Sequence, residues 1–181
     1  MRRAVLINGV PASGKSTLAR ALVRDLVGMG HPAVPLTLDT VKEGLFEHLG
    51  AGDREHNRML GRASYQAIFA TIAAFPDALI PVIDAWHGFQ PVDVLRGHLE
   101  RARIDHVIEI WVSVAPERAA ARYRARATER PEGHLPASYA DELFELARRA
   151  RPAGLDPVIE VDGATPYDAN LGARVVEALQ R

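Results

Sequence analysis

The chain has 181 residues, 48% hydrophobic and 25% charged, which suits one soluble globular domain with a sizeable core. Its net charge of -1 supplies no global field for nucleic acid or an anionic membrane. It has no cysteine, which excludes disulfides, thiolate nucleophiles and cysteine-ligated zinc, and its seven histidines show no metal-ligand spacing.

The N-terminus does not read as a signal peptide: the apolar stretch after Arg2 and Arg3 ends within a few residues at a glycine loop. No apolar run approaches the ~20 residues that a membrane helix needs, so a cytoplasmic protein is expected. Residues 3–8 read as a first strand. Residues 15–28 carry Leu18, Leu22 and Leu26 at helical spacing, and Gly28 and Gly30 end that helix. Residues 33–38 are a second strand, with Pro35 pointing to an edge position or a bulge. Helices are expected over 40–49 and 58–75. Residues 78–84 form an apolar third strand, of the kind buried on both faces of a parallel sheet. A helix over 92–103, a strand over 106–114 and a helix opened by Pro116 follow. Residues 128–136 form a loop, the centre of a small lid expected at about 127–136. A helix over 137–150, a fifth strand over 157–161 and a helix over 167–180 complete the chain. Strands alternating with helices predict an α/β protein, a five-stranded parallel sheet with helices on both faces, in one domain.

The first strand runs into Gly9-Val-Pro-Ala-Ser-Gly14-Lys15-Ser16, which fits G-x-x-x-x-G-K-[ST]. Phosphates need many donors pointing inward, and glycines let successive backbone N–H groups supply them. The helix that starts near Lys15 adds its positive end. Gly9, Ala12, Ser13, Gly14, Lys15, Ser16 and Thr17 are therefore candidate ATP-binding residues. Lys15 is expected on the β- and γ-phosphates and the Ser16 hydroxyl on Mg²⁺. A strand before the motif and a helix after it argue against a chance glycine turn.

Asp39 follows the second strand, where parallel sheets bind ligands. There it is expected to orient a substrate hydroxyl and accept its proton; the plainer role, a helix N-cap, is compatible. Asp84 closes the third strand in a Walker B-like pattern, as a candidate Mg²⁺ ligand with Ser16. Trp86 and His87 follow, either facing the pocket or covering the sheet edge. Arg118, Arg122, Arg126 and Arg130 recur every fourth residue as one basic stripe. Arg122 and Arg126 are candidates for neutralising charge on the transferred group, with Arg130 beside them; a solvated face is the plainer alternative. Lys42, Arg54, Arg58 and Arg62 read as a surface face, with the acceptor side as the other reading.

Over residues 3–179 this order of motifs resembles small P-loop kinases. The phosphate loop, Asp39-Thr40, Val82-Ile83-Asp84, and Pro116-Glu117 leading to Arg122 and Arg126 are similar to chloramphenicol phosphotransferase, gluconate kinase and zeta-toxin-like or AAA-family ATP-binding proteins. Asp39-Thr-Val-Lys-Glu and Asp53-Arg-Glu bring the last group nearest. The resemblance implies the P-loop NTPase fold, a general base at Asp39 and a nucleotide grip by Arg122 and Arg126. Gly133-His134-Leu135-Pro136 is similar to a lid segment of gluconate kinase, but one residue shorter and without its aromatic. The expected activity is ATP- and Mg²⁺-dependent transfer to a hydroxyl of a small molecule such as a sugar, nucleoside or antibiotic. A polynucleotide 5′-hydroxyl kinase shares the arrangement, but the near-neutral charge disfavours strand binding. A nucleotide switch without an acceptor is the third class, and it lacks an N-K-x-D motif for guanine.

Overall fold

The computed structural model describes residues 1–180. The strands are β1 (Arg2–Asn8), β2 (Ala33–Thr37), β3 (Ile80–Asp84), β4 (Ile104–Ser113) and β5 (Val158–Asp162). The helices are α1 (Lys15–Gly28), α2 (Leu38–Leu49), α3 (Arg54–Ala73), α4 (Val92–Arg101), α5 (Pro116–Arg126), α6 (Tyr139–Arg149) and α7 (Leu171–Leu179). The five strands pair in parallel in the order β2-β3-β1-β4-β5.

The period-2 alternation of β1 sends its apolar side chains to two cores. Val5 and Ile7 join Leu22 and Leu26 of α1 and Val175 of α7 on one face. Leu6 joins Phe69 and Ile72 of α3 and Leu95 of α4 on the other. Each such fully buried aliphatic side chain stabilises the fold by roughly 1.5–3 kcal/mol. Because α1 and α4 cover opposite faces, the connections leaving β1 and β3 diverge. That divergence opens a crevice at the carboxyl ends of these neighbouring strands, where open α/β sheets bind ligands.

The two prolines in strands obey the ladder. Pro35 lies in β2, an edge strand, where a missing N–H costs least. Pro81 is in the internal strand β3, but β1 pairs with β3 only from Val82 onward. Several boundaries differ from the sequence reading, and two of them bear on the site. Helix α2 begins at Leu38, so Asp39 lies in its first turn and Thr37 is the N-cap residue. Helix α3 begins at Arg54, earlier than expected, because the Asp53 side chain accepts a hydrogen bond from the His56 N–H and caps it. Helix α5 ends at Arg126, in keeping with the loop expected over 128–136, so Arg130 stands beyond the helix and does not share its basic stripe.

Helices α5 and α6 pack on one another through Ala119, Ala120, Tyr123, Ala140 and Leu143, with Val10 of the phosphate loop in the same cluster. This hairpin carries segment 127–136 to the site. Among the described residues, no helix is long and apolar enough to cross a membrane.

Candidate active site

The loop after β1 bends through left-handed backbone at Ala12 and Gly14, and Gly14 is the N-cap residue of α1. Gly9 is required for a second reason: a Cβ there would stand 2.6 Å from the Val112 carbonyl oxygen, and its φ of 146° is one that L side chains rarely adopt. Lys15 is buried, and its Nζ donates to the Val10 carbonyl at 2.9 Å, across the loop's own backbone. Burial lowers the Lys15 pKa, and the carboxylates of Asp84 and Asp39 oppose that shift. Ser16 and Thr17 are exposed in the first turn of α1.

Asp84 lies at the end of β3, in register with Ile7 of β1. Its carboxyl is buried, and Oδ2 has no hydrogen-bond partner among the described residues. Burial raises its pKa, while the Lys15 ammonium and the Ser16 hydroxyl oppose the rise. An orphaned carboxylate oxygen beside a serine hydroxyl is a hard-oxygen donor set. It suits Mg²⁺, which takes one or two protein oxygens and completes its shell with water and phosphate. No group of three or more His, Cys, Asp or Glu forms a metal cage among the described residues.

Segment 127–136 is docked over α2 and α3 by named contacts. The Arg130 guanidinium donates to Asp39 Oδ2 at 3.1 Å and lies over the Tyr123 ring, 5.3 Å from its centroid. His134 Nε2 meets Glu43 Oε1 at 2.8 Å, and its ring stands edge-on to Phe46. Burial lowers the His134 pKa, assisted by the Arg130 charge and opposed by Glu43. The Asn57 amide donates to the Gly133 carbonyl and accepts from Lys42 Nζ at 2.8 Å. The Tyr123 hydroxyl donates to the Leu135 carbonyl at 2.8 Å. A cleft of about 340 Å³ lies alongside, between the start of α3, the end of the segment and the start of α6; Asn57, His134 and Tyr139 line it, and the Arg54–Glu142 pair stands at it.

The three candidate arginines occupy different places. Arg122 donates to the carbonyls of Gly163 at 3.0 Å and Ser13 at 3.5 Å, so it ties the phosphate loop to the turn after β5. Arg126 is exposed and close enough to Lys15 to act on its charge. Arg130 pairs with Asp39. Of the group read as a surface face, Arg54, Arg58 and Arg62 are exposed, whereas Lys42 turns under the docked segment. His87 is buried, with Nδ1 2.6 Å from the Tyr65 hydroxyl, and burial pushes its pKa down to about 3. It is therefore neutral across the physiological range. Trp86 packs beside Trp111 at a ring separation of 6.2 Å.

Sequence reasoning missed Gly163, Asn8 and Glu109. A Cβ on Gly163 would overlap the Ser13 carbonyl oxygen and come within 2.9 Å of Val112. Gly163→Ala must therefore push the phosphate loop aside. Its nucleotide affinity is expected to fall at least about tenfold, roughly 1.4 kcal/mol, with a cooperative melt retained; a fluorescent-nucleotide titration measures this. Nothing in the local sequence marks that glycine, because its constraint comes from a loop far away in the chain. Glu109 does leave a signal, a carboxylate inside the apolar run 107–112 of β4.

A central β1, a glycine loop capping α1, an acid closing β3 and a docked segment after α5 together define the P-loop kinase fold. The chain belongs to the adenylylsulphate kinase family, whose model matches residues 2–125, up to the last turn of α5. Comparison with curated proteins finds no match. Among solved structures, a candidate kinase from Chloroflexus aurantiacus is 24% identical with a TM-score of 0.80, covering 99% of each chain. Kti12 from Chaetomium thermophilum, in complex with ADP-AlF3, is 17% identical with a TM-score of 0.67, covering 97% of this chain and 98% of its own. A gluconokinase from Sinorhizobium meliloti is 21% identical with a TM-score of 0.58, covering 99% of this chain and 92% of its own. These likenesses establish the shared fold.

Proposed function

We propose that this protein transfers the γ-phosphoryl group of ATP to a hydroxyl of a small cytoplasmic molecule. The observation that carries the reading is a buried lysine in a phosphate loop whose charge is favoured by two carboxylates, Asp84 and Asp39. Backbone N–H groups from Gly14 to Thr17 would cradle the phosphates, and Lys15 would exchange its bond to Val10 for the β- and γ-oxygens. Ser16 and Asp84 would hold Mg²⁺, which neutralises charge on the phosphate oxygens when bound. Arg126 would act on the transferred group. Arg122 would serve the nucleotide through the loop whose carbonyl it holds. Arg130 orients Asp39, which would align the acceptor hydroxyl and take its proton, the role that the likeness to chloramphenicol phosphotransferase suggests. In a loose transition state alignment matters more than base strength.

The test is label transfer from γ-labelled ATP to a panel of sugars, nucleosides, aminoglycoside and phenicol antibiotics, and adenylyl sulfate, the substrate class in the family's name. Acceptor-dependent formation of a phosphorylated product is expected. ADP released at one rate whether or not any acceptor is present would replace this reading with that of an ATPase.

A further inference from the structure

Beneath the phosphate loop lies a buried polar cluster that the transfer scheme does not use. Glu109 in β4 is fully buried, and its carboxylate accepts four N–H groups. Oε1 accepts from Asn8 Nδ2 at 2.7 Å and from the Ala153 N–H at 2.7 Å. Oε2 accepts from the N–H groups of Gly154 at 2.9 Å and Leu155 at 3.2 Å. The Asn8 Oδ1 in turn accepts from the Gly9 N–H at 2.8 Å and the His87 N–H at 3.0 Å. One carboxylate and one amide therefore tie together three separate stretches of chain. These are the first residue of the phosphate loop, the turn that follows Asp84, and the return from the α5–α6 hairpin.

From this we infer that Glu109 is a positioning residue for nucleotide binding, acting through Asn8 to fix the root of the phosphate loop against the turn after Asp84 and the base of the lid hairpin. The inference rests on the phosphate loop binding a nucleotide. A buried carboxylate is costly unless its oxygens are satisfied, and here neighbouring backbone and Asn8 satisfy them. Four donors meeting one acceptor group leave no slack: a glutamine at 109 would turn an NH₂ toward N–H donors on one side, and one of the three stretches would come loose. The Gly9 N–H and the His87 N–H share one amide oxygen, so loosening Asn8 moves the phosphate loop and the Asp84 turn relative to each other. A shift of Gly9 toward β4 is limited, because even a Cβ there would stand 2.6 Å from the Val112 carbonyl oxygen.

The test compares Glu109→Gln, Asn8→Ala and Leu95→Ala, the last being a core truncation on the α4 face. Binding of a fluorescent ADP analogue is measured well below each melting transition, together with hydrogen exchange over residues 8–16 and 85–88. About a tenfold weaker affinity is expected for Glu109→Gln and for Asn8→Ala, with faster exchange in both segments. Leu95→Ala lowers Tm but leaves affinity and that exchange unchanged. Asn8→Ala leaves Glu109 its three backbone donors, so it decides the matter if Glu109→Gln does not fold. A change below threefold in either folded variant overturns the inference, as does an equal loss in Leu95→Ala. Absence of binding by the unaltered protein would instead remove the nucleotide reading itself.

Discussion

Lys15→Met is expected to abolish phosphoryl transfer, by about 10²–10³ or more, while leaving the fold intact. The loss follows from removing a preorganised cation from the place where charge develops, which typically costs about 3–4 kcal/mol of transition-state stabilisation. The intact fold follows from the same burial. Lys15 has a lowered pKa because its charge is poorly solvated in the folded chain. Its removal relieves that cost, which offsets the loss of one hydrogen bond to Val10, itself a contribution of about 1 kcal/mol. A base with a depressed folded pKa is protonated more fully when unfolded, so its contribution to stability rises with pH between the lowered value and 10.5. Lys15→Met should flatten that rise in chemical denaturation curves, and single-turnover transfer measures the activity. Transfer retained within tenfold would place the ammonium outside the reacting centre.

Asp39→Asn is expected to separate binding from chemistry. The side chain keeps its size, but it loses the charge that Arg130 engages and the capacity to accept a proton. Transfer should fall by about 10²–10⁴, the range for a general base, with nucleotide affinity unchanged within about twofold. Stability should change by less than about 1 kcal/mol, because the Asp39 side chain is 49% exposed and such pairs contribute little. Rapid-quench transfer alongside equilibrium titration would measure both. A stability loss with transfer unchanged would reduce Asp39 to an anchor for the docked segment.

Much of the architecture was legible because it is written locally. The glycine loop set the start of α1 at Lys15, apolar spacing gave its length, and of the edge position or bulge that Pro35 pointed to, the edge is what β2 occupies. The end of β2 was less legible. Leu36-Thr37-Leu38 has strand-like alternation, yet Leu38 enters α2 because a carboxylate in the next position favours a helix start. The arginine stripe shows the limit of spacing arguments. Four-residue recurrence put Arg130 on one face with Arg118, Arg122 and Arg126, but Arg130 falls in the loop expected over 128–136, and there it meets Asp39. What the sequence could not show were contacts between distant segments. Arg122 meeting Gly163, Asn57 meeting Gly133, and Asn8 meeting Glu109 all bridge stretches brought together by the sheet order. Asp84 was legible as a strand-end acid, but its unpartnered buried oxygen is a property of packing alone.

The most direct measurement is isothermal titration of the unaltered protein with ATP and ADP, with magnesium and after its chelation. Saturable one-to-one heat is predicted, stronger with magnesium and lost in Lys15→Met. A flat titration with every nucleoside triphosphate, under conditions where the protein melts cooperatively, would contradict the account.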